Sequence, residues 1–585
     1  MVDNNDNLTN KEVGLSEFDV IVVGSGITGG WAAKEFCEKG FKTLVIERGR
    51  NLKHPDPEYT DMSQPWELYN RALMPEIYEE EGRYDDLREK SYPYWSHVSQ
   101  FFVDEKEYPY STPDDRPFMW TRGYQLGGRS ITWGRQSYRW GPRDFEANQK
   151  DGHGIPWPIG YDDLAPWYDY VETFAGISGN KDEHESLPDG QFLKPWTMSC
   201  AEKFVADNVN NSSLDSKVLM GRCAHLSEAK SVHLNLGRGP CQARNQCSQG
   251  CSFGAYFCSL SSTLPAARHT NNLTIVTDAI VMHVDQDPAT GRASGVTAID
   301  HNTKQVTKYK ARVVFLCASA LGSLQIMLNS TSPESPNGIA NSSGMLGHYI
   351  MDHFGGAGAY GTVPGFEDRY SFGRRPTNVY IPNFSHDKKD DVDFIRGYGY
   401  QGDGSNRPRK GNNARSVGIG EKVKAEVGTP LPWTIGIGMF GELLPYYDNQ
   451  VSLHPTKKDK WGIPQLHIDA HGRENERKMM VQAAKDAKEI LIAGGCINVN
   501  SFHPDPNAHI QVGTRVHEMG GACMGEDPKG SVLNKWCQAH DVANLFVTDG
   551  ACMSSCATQN PSLTYMALTA RAANYAADLM NEGEL

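Results

Sequence analysis

Two groups of residues in this 585-residue chain have types and spacings that do chemistry. The first is Gly24-x-Gly26-x-x-Gly29, followed by Glu47. In such a motif the first glycine permits a tight turn. The second lets a pyrophosphate approach the backbone, and the third lets a helix pack closely on a strand. The helix start then offers free N–H groups and a positive dipole end to the phosphates. Glu47, about 20 residues on, suits a ribose diol. Three glycines alone are explained by any tight turn. The apolar run before them, the helical pattern after them and the acid in place point to a dinucleotide site. The second group is Cys241, Cys247, Cys251 and Cys258, with gaps of five, three and six residues. Structural zinc prefers two pairs of cysteines, each about two to four residues apart, and only one gap here fits. Iron–sulfur clusters are held by thiolates from loops. Gly250 and Gly254 suit such a loop by letting backbone N–H groups reach sulfur. The residues favour an iron–sulfur cluster over zinc, and unconnected thiols or disulfides remain a third reading. Four cysteines leave three-iron and four-iron clusters both open.

The elements that must position these groups are legible around them. Val20 to Val23 reads as a strand entering the glycines. Trp31, Ala32 and Phe36 are the buried candidates of the helix that follows, and a second apolar strand ends at Glu47. Leu273 to Thr277 reads as a strand. Ala279–Asp287 and Ala293–Asp300 read as a hairpin around Pro288–Gly291. Val281 and Ala318 fall where this second unit approaches the nucleotide. Ala311–Ala318 is a buried strand running into a helix through Met327, aimed back at the nucleotide sheet. Alternation at Gln450–His454 and Pro464–Asp469 predicts antiparallel strands. A helix of about 20 residues spans Glu474 to Ala493. Trp157–Val171 reads as a turn entering a helix, with Asp162 and Asp163 at its start. Residues 51–120 read as a long surface excursion and 1–15 as a polar, disordered tail.

Length and composition set the class. A chain this long needs more than one core. The net charge of −14 argues against nucleic acid and against an anionic membrane surface. No apolar stretch reaches the length of a membrane span. The N-terminus has neither a Sec-type apolar core nor twin arginines, so the protein is expected to be cytosolic or exported with a signal-bearing partner. Thirteen cysteines, unevenly placed, disfavour a plain disulfide framework.

Near the C-terminus stand His517-Glu-Met-Gly-Gly-Ala-Cys, then Thr548-Asp549-Gly550, then Gln559-Asn560-Pro561 opening a helix. Proline suits a first helical position, and a helix N-terminus attracts an anion. Asp549, after a strand, suits a hydroxyl or the cap of the next helix. With the opening fingerprint and Gln125-Leu-Gly127-Gly128-Arg-Ser130-Ile-Thr132-Trp133-Gly, these segments resemble the glucose–methanol–choline (GMC) flavin oxidoreductases over nearly the full length. The resemblance implies an α/β chain of GMC-type fold, with a Rossmann-like FAD-binding domain and an antiparallel-sheet substrate domain. The FAD-binding domain is expected to be discontinuous, over 16–150, 259–352 and 505–585. The substrate domain covers 151–258, with the cysteine loop, and 353–504. The nucleotide is FAD, His517 the catalytic base and Asn560 its partner. A neutral imidazole suits removal of a hydroxyl proton near pH 7, and an amide beside it can hold the oxygen without competing for the proton. As a lone histidine, His517 would read as a packed turn residue; as a lone asparagine, Asn560 would read as a helix cap. Some sugar oxidases of the family tether FAD through a histidine before the motif tryptophan. Thr132 stands there here, so a non-covalent flavin is implied.

Cys241, Cys247 and Cys251 are similar in spacing to the cluster loop of bacterial FAD-dependent sugar dehydrogenases, a branch of the family. Cys258 is either a fourth ligand or a buried thiol. From Gly24-Ser-Gly-Ile-Thr-Gly-Gly-Trp31 to Thr548-Asp-Gly-Ala-Cys-Met553, the chain is similar to large subunits of glucoside 3-dehydrogenases. That likeness implies oxidation of a glucoside C3 hydroxyl to a ketone and relay of electrons through the cluster to a cytochrome c. It also implies a small subunit that carries the export signal, and hence a periplasmic location. An oxygen-using pyranose oxidase and a non-catalytic flavin and iron–sulfur carrier are the alternatives.

Overall fold

The computed structural model describes residues 17–54, 99–244, 247, 250–369, 377–385, 392–406, 420, 421, 424, 431–505 and 508–585. The expected tail at 1–15 and most of the expected excursion at 51–120 lie outside these. Strand β1 (Glu17–Val23), helix α1 (Ile27–Glu38) and strand β2 (Thr43–Ile46) form a parallel crossover unit, with Val20 opposite Thr43 and Val23 opposite Ile46. Trp31, Ala32 and Phe36 are fully buried, and full burial of a side chain as large as Phe contributes about 2–3 kcal/mol. Helix α2 (Tyr161–Ala175) follows further along the chain. The short strand β3 (Leu219–Met220) comes next, then β4 (Leu273–Val276), β5 (Ala279–Gln286), β6 (Ala293–Asp300), β7 (Val306–Leu316) and helix α3 (Ala320–Asn329).

The nucleotide sheet runs β4-β2-β1-β7-β6-β5. Strands β4, β2, β1 and β7 are parallel; β6 and β5 fold back antiparallel. A late strand, Leu545–Val547, pairs parallel with the end of β7. The carboxyl ends of β1, β7 and this strand therefore lie side by side, which is where open α/β sheets bind ligands.

The second sheet comprises β8 (His353–Phe354), β9 (Gly358–Val363), β10 (Val379–Ser385), β11 (Gly397–Ser405) and β12 (Trp433–Glu442), with Ile497–Phe502 at one edge and β3 at the other. It is antiparallel throughout. In β12 the residues Trp433, Ile435, Ile437 and Met439 are buried, while Phe440 falls on the opposite face. That alternation follows from the period of two in a strand. Helix α4 (Glu474–Ala493) covers the buried face, where Tyr398 donates to Asp486 Oδ2 (2.6 Å) and Tyr400 donates to the Ala483 carbonyl (2.7 Å). The open face carries glycines, and a side chain at Gly438 would meet no atom within 4 Å. Helix α5 (Ser562–Glu582) closes the chain over the nucleotide unit.

Two segments sit elsewhere than the sequence division placed them. Helix α2, expected in the substrate unit, packs on α1 and α5. Lys34 donates to the Tyr170 hydroxyl (2.7 Å), Trp31 meets Phe174 edge-on (5.1 Å), and Tyr168 bonds Thr564 (2.8 Å). Its apolar stripe of Leu164, Tyr168, Val171 and Phe174 needs a partner, and α1 and α5 supply it. The strands β13 (Gln450–Lys458) and β14 (Pro464–Asp469) form as expected but pair with each other outside both large sheets. This hairpin leans on the nucleotide unit, where Trp461 Nε1 donates to the His301 carbonyl (3.0 Å) and Gln325 to the Pro464 carbonyl (2.8 Å). Among the described residues no helix is long and apolar enough to cross a membrane.

Candidate active site

A cavity of about 520 Å³ opens at the carboxyl ends of β1 and β7 and reaches the open face of the second sheet. Of the sequence-derived residues, Gly24, Gly26, Glu47, Gly128, Ser130, Thr132, Trp133, Val281, Ala318, His517, Asp549, Gly550 and Asn560 line it. Gly29, Gly127 and Pro561 do not. Gly29 lies behind the turn, where an added Cβ would stand 1.9 Å from the Gly24 carbonyl oxygen. Gly127 forms the turn beneath Leu260 at φ 89°. Pro561 has helical backbone angles immediately before the first residue of α5.

The residues of the nucleotide end fit FAD on their own geometry. Gly24 has φ +95°, and a Cβ there would stand 2.4 Å from the Cys317 carbonyl oxygen. Gly26 has no atom within 4 Å of a would-be Cβ, so the backbone at the start of α1 faces free space. Such a cradle at a helix N-terminus suits a pyrophosphate. Glu47 is held at the end of β2. Its Oε2 accepts from Ser25 N (3.1 Å) and Ser25 Oγ (2.5 Å), and its Oε1 accepts from Gly49 N (3.0 Å). Burial nevertheless pushes this carboxyl above its ordinary range. Ser25 Oγ also accepts from Gly127 N (2.9 Å), which ties the two glycine turns together. Asp549 accepts from Ala551 N (3.0 Å) and from Ser323 Oγ (2.5 Å), so it caps the short turn at Gly550–Cys552. Burial pushes its carboxyl up to about 6.

The far end of the cavity holds His517 and Asn560. Asn560 Nδ2 stands 3.5 Å from His517 Nε2. The amide and the imidazole are close enough for one oxygen atom beside them to reach both. Gln401 on β11 donates to Asn560 Oδ1 (2.5 Å), which turns the amide nitrogen toward His517. Behind the imidazole, His517 Nδ1 and His353 Nδ1 are 3.0 Å apart with rings near perpendicular (80°). The His517 backbone N–H donates to Asp352 Oδ1 (2.9 Å) and that of Arg515 to Oδ2 (3.2 Å). Between them Val516 has φ 58°, a left-handed conformation that a β-branched residue rarely adopts. Arg129 holds this strained turn, donating to the Val516 carbonyl (3.3 Å) and to buried Glu518 (2.6 Å). Phe440 and Arg515 complete the wall, the guanidinium lying 4.8 Å from the ring centre.

Electrostatics keep the imidazole neutral. Burial holds His517 well below its usual 6.5, and His353, Arg129 and Arg515 act in the same direction. Burial pushes Asp352 up to about 7, and Glu518 adds to that shift.

The sequence did not single out Asp352, His353, Gln401, Phe440 or Arg515. His353 lies 164 residues before His517, and no local pattern reports such a meeting.

At the cysteine loop, Cys241, Cys247 and Cys251 are half-buried, whereas Cys258 is fully buried. Cys258 Sγ lies 3.2 Å from Ser261 Oγ in the core, so it sits apart in environment from the other three. Burial raises the Cys241 thiol, and the nearby Cys247 and Cys251 push it further. Among the described residues no three cysteine sulfurs gather within 4.8 Å. A single zinc ion, with sulfur ligands at about 2.3 Å, demands that crowding; the wider thiolate set of a cluster does not. Gly250 and Gly254 both have positive φ, 86° and 57°.

Comparison with known proteins agrees with this geometry. The fructose dehydrogenase large subunit of Gluconobacter japonicus is 26% identical, with 97% of this chain and 98% of that one covered. The 2-methyl-1,2-propanediol dehydrogenase of Mycolicibacterium austroafricanum is 25% identical over 95% and 94%. The gluconate 2-dehydrogenase flavoprotein of Pantoea cypripedii is 23% identical over 95% and 92%. Among solved structures, an Aspergillus oryzae RIB40 formate oxidase variant superposes with TM-score 0.61 at 13% identity, over 97% of this chain and 99% of that one. Pyridoxine 4-oxidase from Mesorbium loti gives 0.55 at 15%, over 95% and 99%. These two show a shared fold. Residues 18–354 match the N-terminal part of the GMC oxidoreductase family and residues 445–569 its C-terminal part. The chain belongs to the GMC oxidoreductases, FAD-binding enzymes that act on CH–OH donors.

Proposed function

We propose that this enzyme oxidises a sugar or glucoside hydroxyl, at C3, to a ketone, and passes the electrons through an iron–sulfur cluster at Cys241, Cys247 and Cys251 to an outside acceptor. The observation that carries the oxidation is the approach of Asn560 Nδ2 to His517 Nε2 (3.5 Å) at the end of the cavity that the glycine turns open. The hydroxyl oxygen of the substrate sits beside this pair, on the cavity side, within hydrogen-bond reach of both atoms. Asn560 donates to that oxygen, and His517 Nε2 takes its proton. Phe440 gives the site an apolar wall. Bound FAD supplies the acceptor for the hydride that leaves the carbon. The sugar class is supported by the fructose and gluconate dehydrogenases among the relatives. The likeness to glucoside 3-dehydrogenases supports the C3 position, a cytochrome c acceptor and a periplasmic location reached with a small signal-bearing subunit.

The depressed basicity of His517 makes an expected pH profile. Protonation removes the base, and its folded-state pKa lies below 6.5. The plateau in kcat/KM therefore extends to more acid pH than a free histidine permits, and the acid limb falls below pH 6.5. Rates measured between about pH 5 and 9 check this. An acid limb above that value contradicts a buried neutral base.

The cluster is tested separately. Purified protein is expected to contain iron and acid-labile sulfide, and Cys247→Ser is expected to lose most of both while retaining FAD. Absence of iron from anaerobically prepared wild type removes the relay and leaves the oxidation reading in place.

A further inference from the structure

His353 takes no part in the family signature used above, yet its ring meets the imidazole of the base directly. It is fully buried on β8, directly opposite Glu442 of β12. Its Nδ1 lies 3.0 Å from His517 Nδ1. Two nitrogens at that distance share one proton, and the sharing has two senses. If His353 donates, His517 carries its own hydrogen on Nε2 and cannot accept another. If His517 donates, its Nε2 is bare and faces the cavity.

The surroundings choose the second sense. At one end of the chain Gln401 Nε2 donates to Asn560 Oδ1 (2.5 Å). The amide nitrogen of Asn560 then faces His517 Nε2, and an amide nitrogen only donates, so a bare Nε2 suits the contact better than a second N–H. At the other end the Ala557 carbonyl acts on the buried His353 ring, and the Nδ1 of that ring is directed at His517. The polarity runs one way from Gln401 through Asn560 and His517 to His353.

The charged groups agree. Arg129 and Arg515 disfavour a proton on His517, and burial together with Arg515 pulls His353 down to about 3. Glu518 acts on the Asp352 carboxyl, and neither acid shifts the two imidazoles. Both rings are neutral, and only their tautomers remain to be set.

We propose that His353 is a positioning residue that fixes the tautomer of His517 in which Nε2 is the free base. This rests on His517 being the base of the proposed reaction. Replacement at His353 separates this role from simple packing. In His353→Asn the side-chain oxygen stands where Nδ1 stood and accepts the same hydrogen. In His353→Gln the longer amide places its polar atoms near the old Nε2, and in His353→Leu there is no acceptor.

The measurement is kcat and KM with a sugar that reduces the wild type, alongside FAD content. The expected result is a fall of about 100-fold in kcat for the Leu and Gln variants, with KM and FAD content near wild type. A wrong tautomer costs up to about 10,000-fold where the partner is charged, and the partner here is neutral. The Asn variant is expected within about fivefold of wild type. Equal losses for Asn, Gln and Leu, or a loss shared with FAD content, overturn the tautomer role, as do three variants of near-wild-type kcat. If His517→Ala is itself fully active, the base assignment falls first. If His517→Ala is inactive and the His353 series is flat, this inference alone falls.

Discussion

Replacing His517 with Ala is expected to lower turnover by about 100-fold or more, while FAD remains bound and the fold is retained. General-base catalysis contributes about 10²–10⁴-fold, and among the described residues no other histidine lines the cavity. Arg515 and Arg129 remain cationic and cannot accept a proton. His353 sits behind the ring of His517, with its Nδ1 directed at it and not at the cavity. FAD content should be indifferent to the change, because the turn that holds His517 is tied through its backbone to Asp352 and through Glu518 to Arg129. Steady-state rates and the visible flavin spectrum of the same preparation check both halves. Near-wild-type turnover removes the base.

The second large effect separates two glycines of one motif. Gly29→Ala is expected to destabilise the protein by about 3 kcal/mol, because its Cβ would stand 1.9 Å from a backbone oxygen that cannot move away. Gly26→Ala is expected to leave the apo-protein nearly as stable as wild type, since nothing lies within 4 Å of its Cβ. Instead it should weaken FAD binding by about tenfold or more, which is about 1.4 kcal/mol, because the methyl group enters the space meant for the pyrophosphate. Thermal unfolding of the apo-proteins and FAD titration give the two readouts. If Gly26→Ala binds FAD as tightly as wild type, the phosphates do not sit at the start of α1.

Much of the nucleotide end was legible in sequence because its determinants are local. Apolar runs bounded by glycine fix β1, α1 and β2 within about 30 residues, and Glu47 follows at a set distance. Helix α4 was equally plain, since its period is internal to it. The strands of the β13–β14 hairpin were legible as strands, but alternation does not say which edge a strand will join. They pair with each other and lean on the nucleotide unit. Helix α2 shows the same limit: its apolar stripe was visible, and the surface that covers it was not. Pro561 shows how local rules blur at boundaries. The proline was expected as the first residue of α5 and stands one place earlier, with helical angles already in place.

The catalytic end was legible only through motif resemblance. His517 and Asn560 lie 43 residues apart, and Gln401 meets Asn560 across 159. Nothing in the period of either segment reports these meetings. What the structure adds is polarity: an amide fixed from behind by Gln401 and an imidazole backed by His353. The strained Val516 is a further example, since its positive φ is imposed by the bonds of Asp352 and Arg129 to its neighbours and to itself. Such strain persists where surrounding structure over-determines it, and it gathers at working sites.

Anaerobic mixing of the purified enzyme with a panel of glucosides and free sugars, read at the visible flavin band, tests the central claim most directly. The account predicts rapid bleaching by at least one sugar in the wild type, with the bleaching rate greatly reduced in His517→Ala. A flavin that no sugar or simple alcohol bleaches, or one that bleaches equally fast without His517, contradicts it.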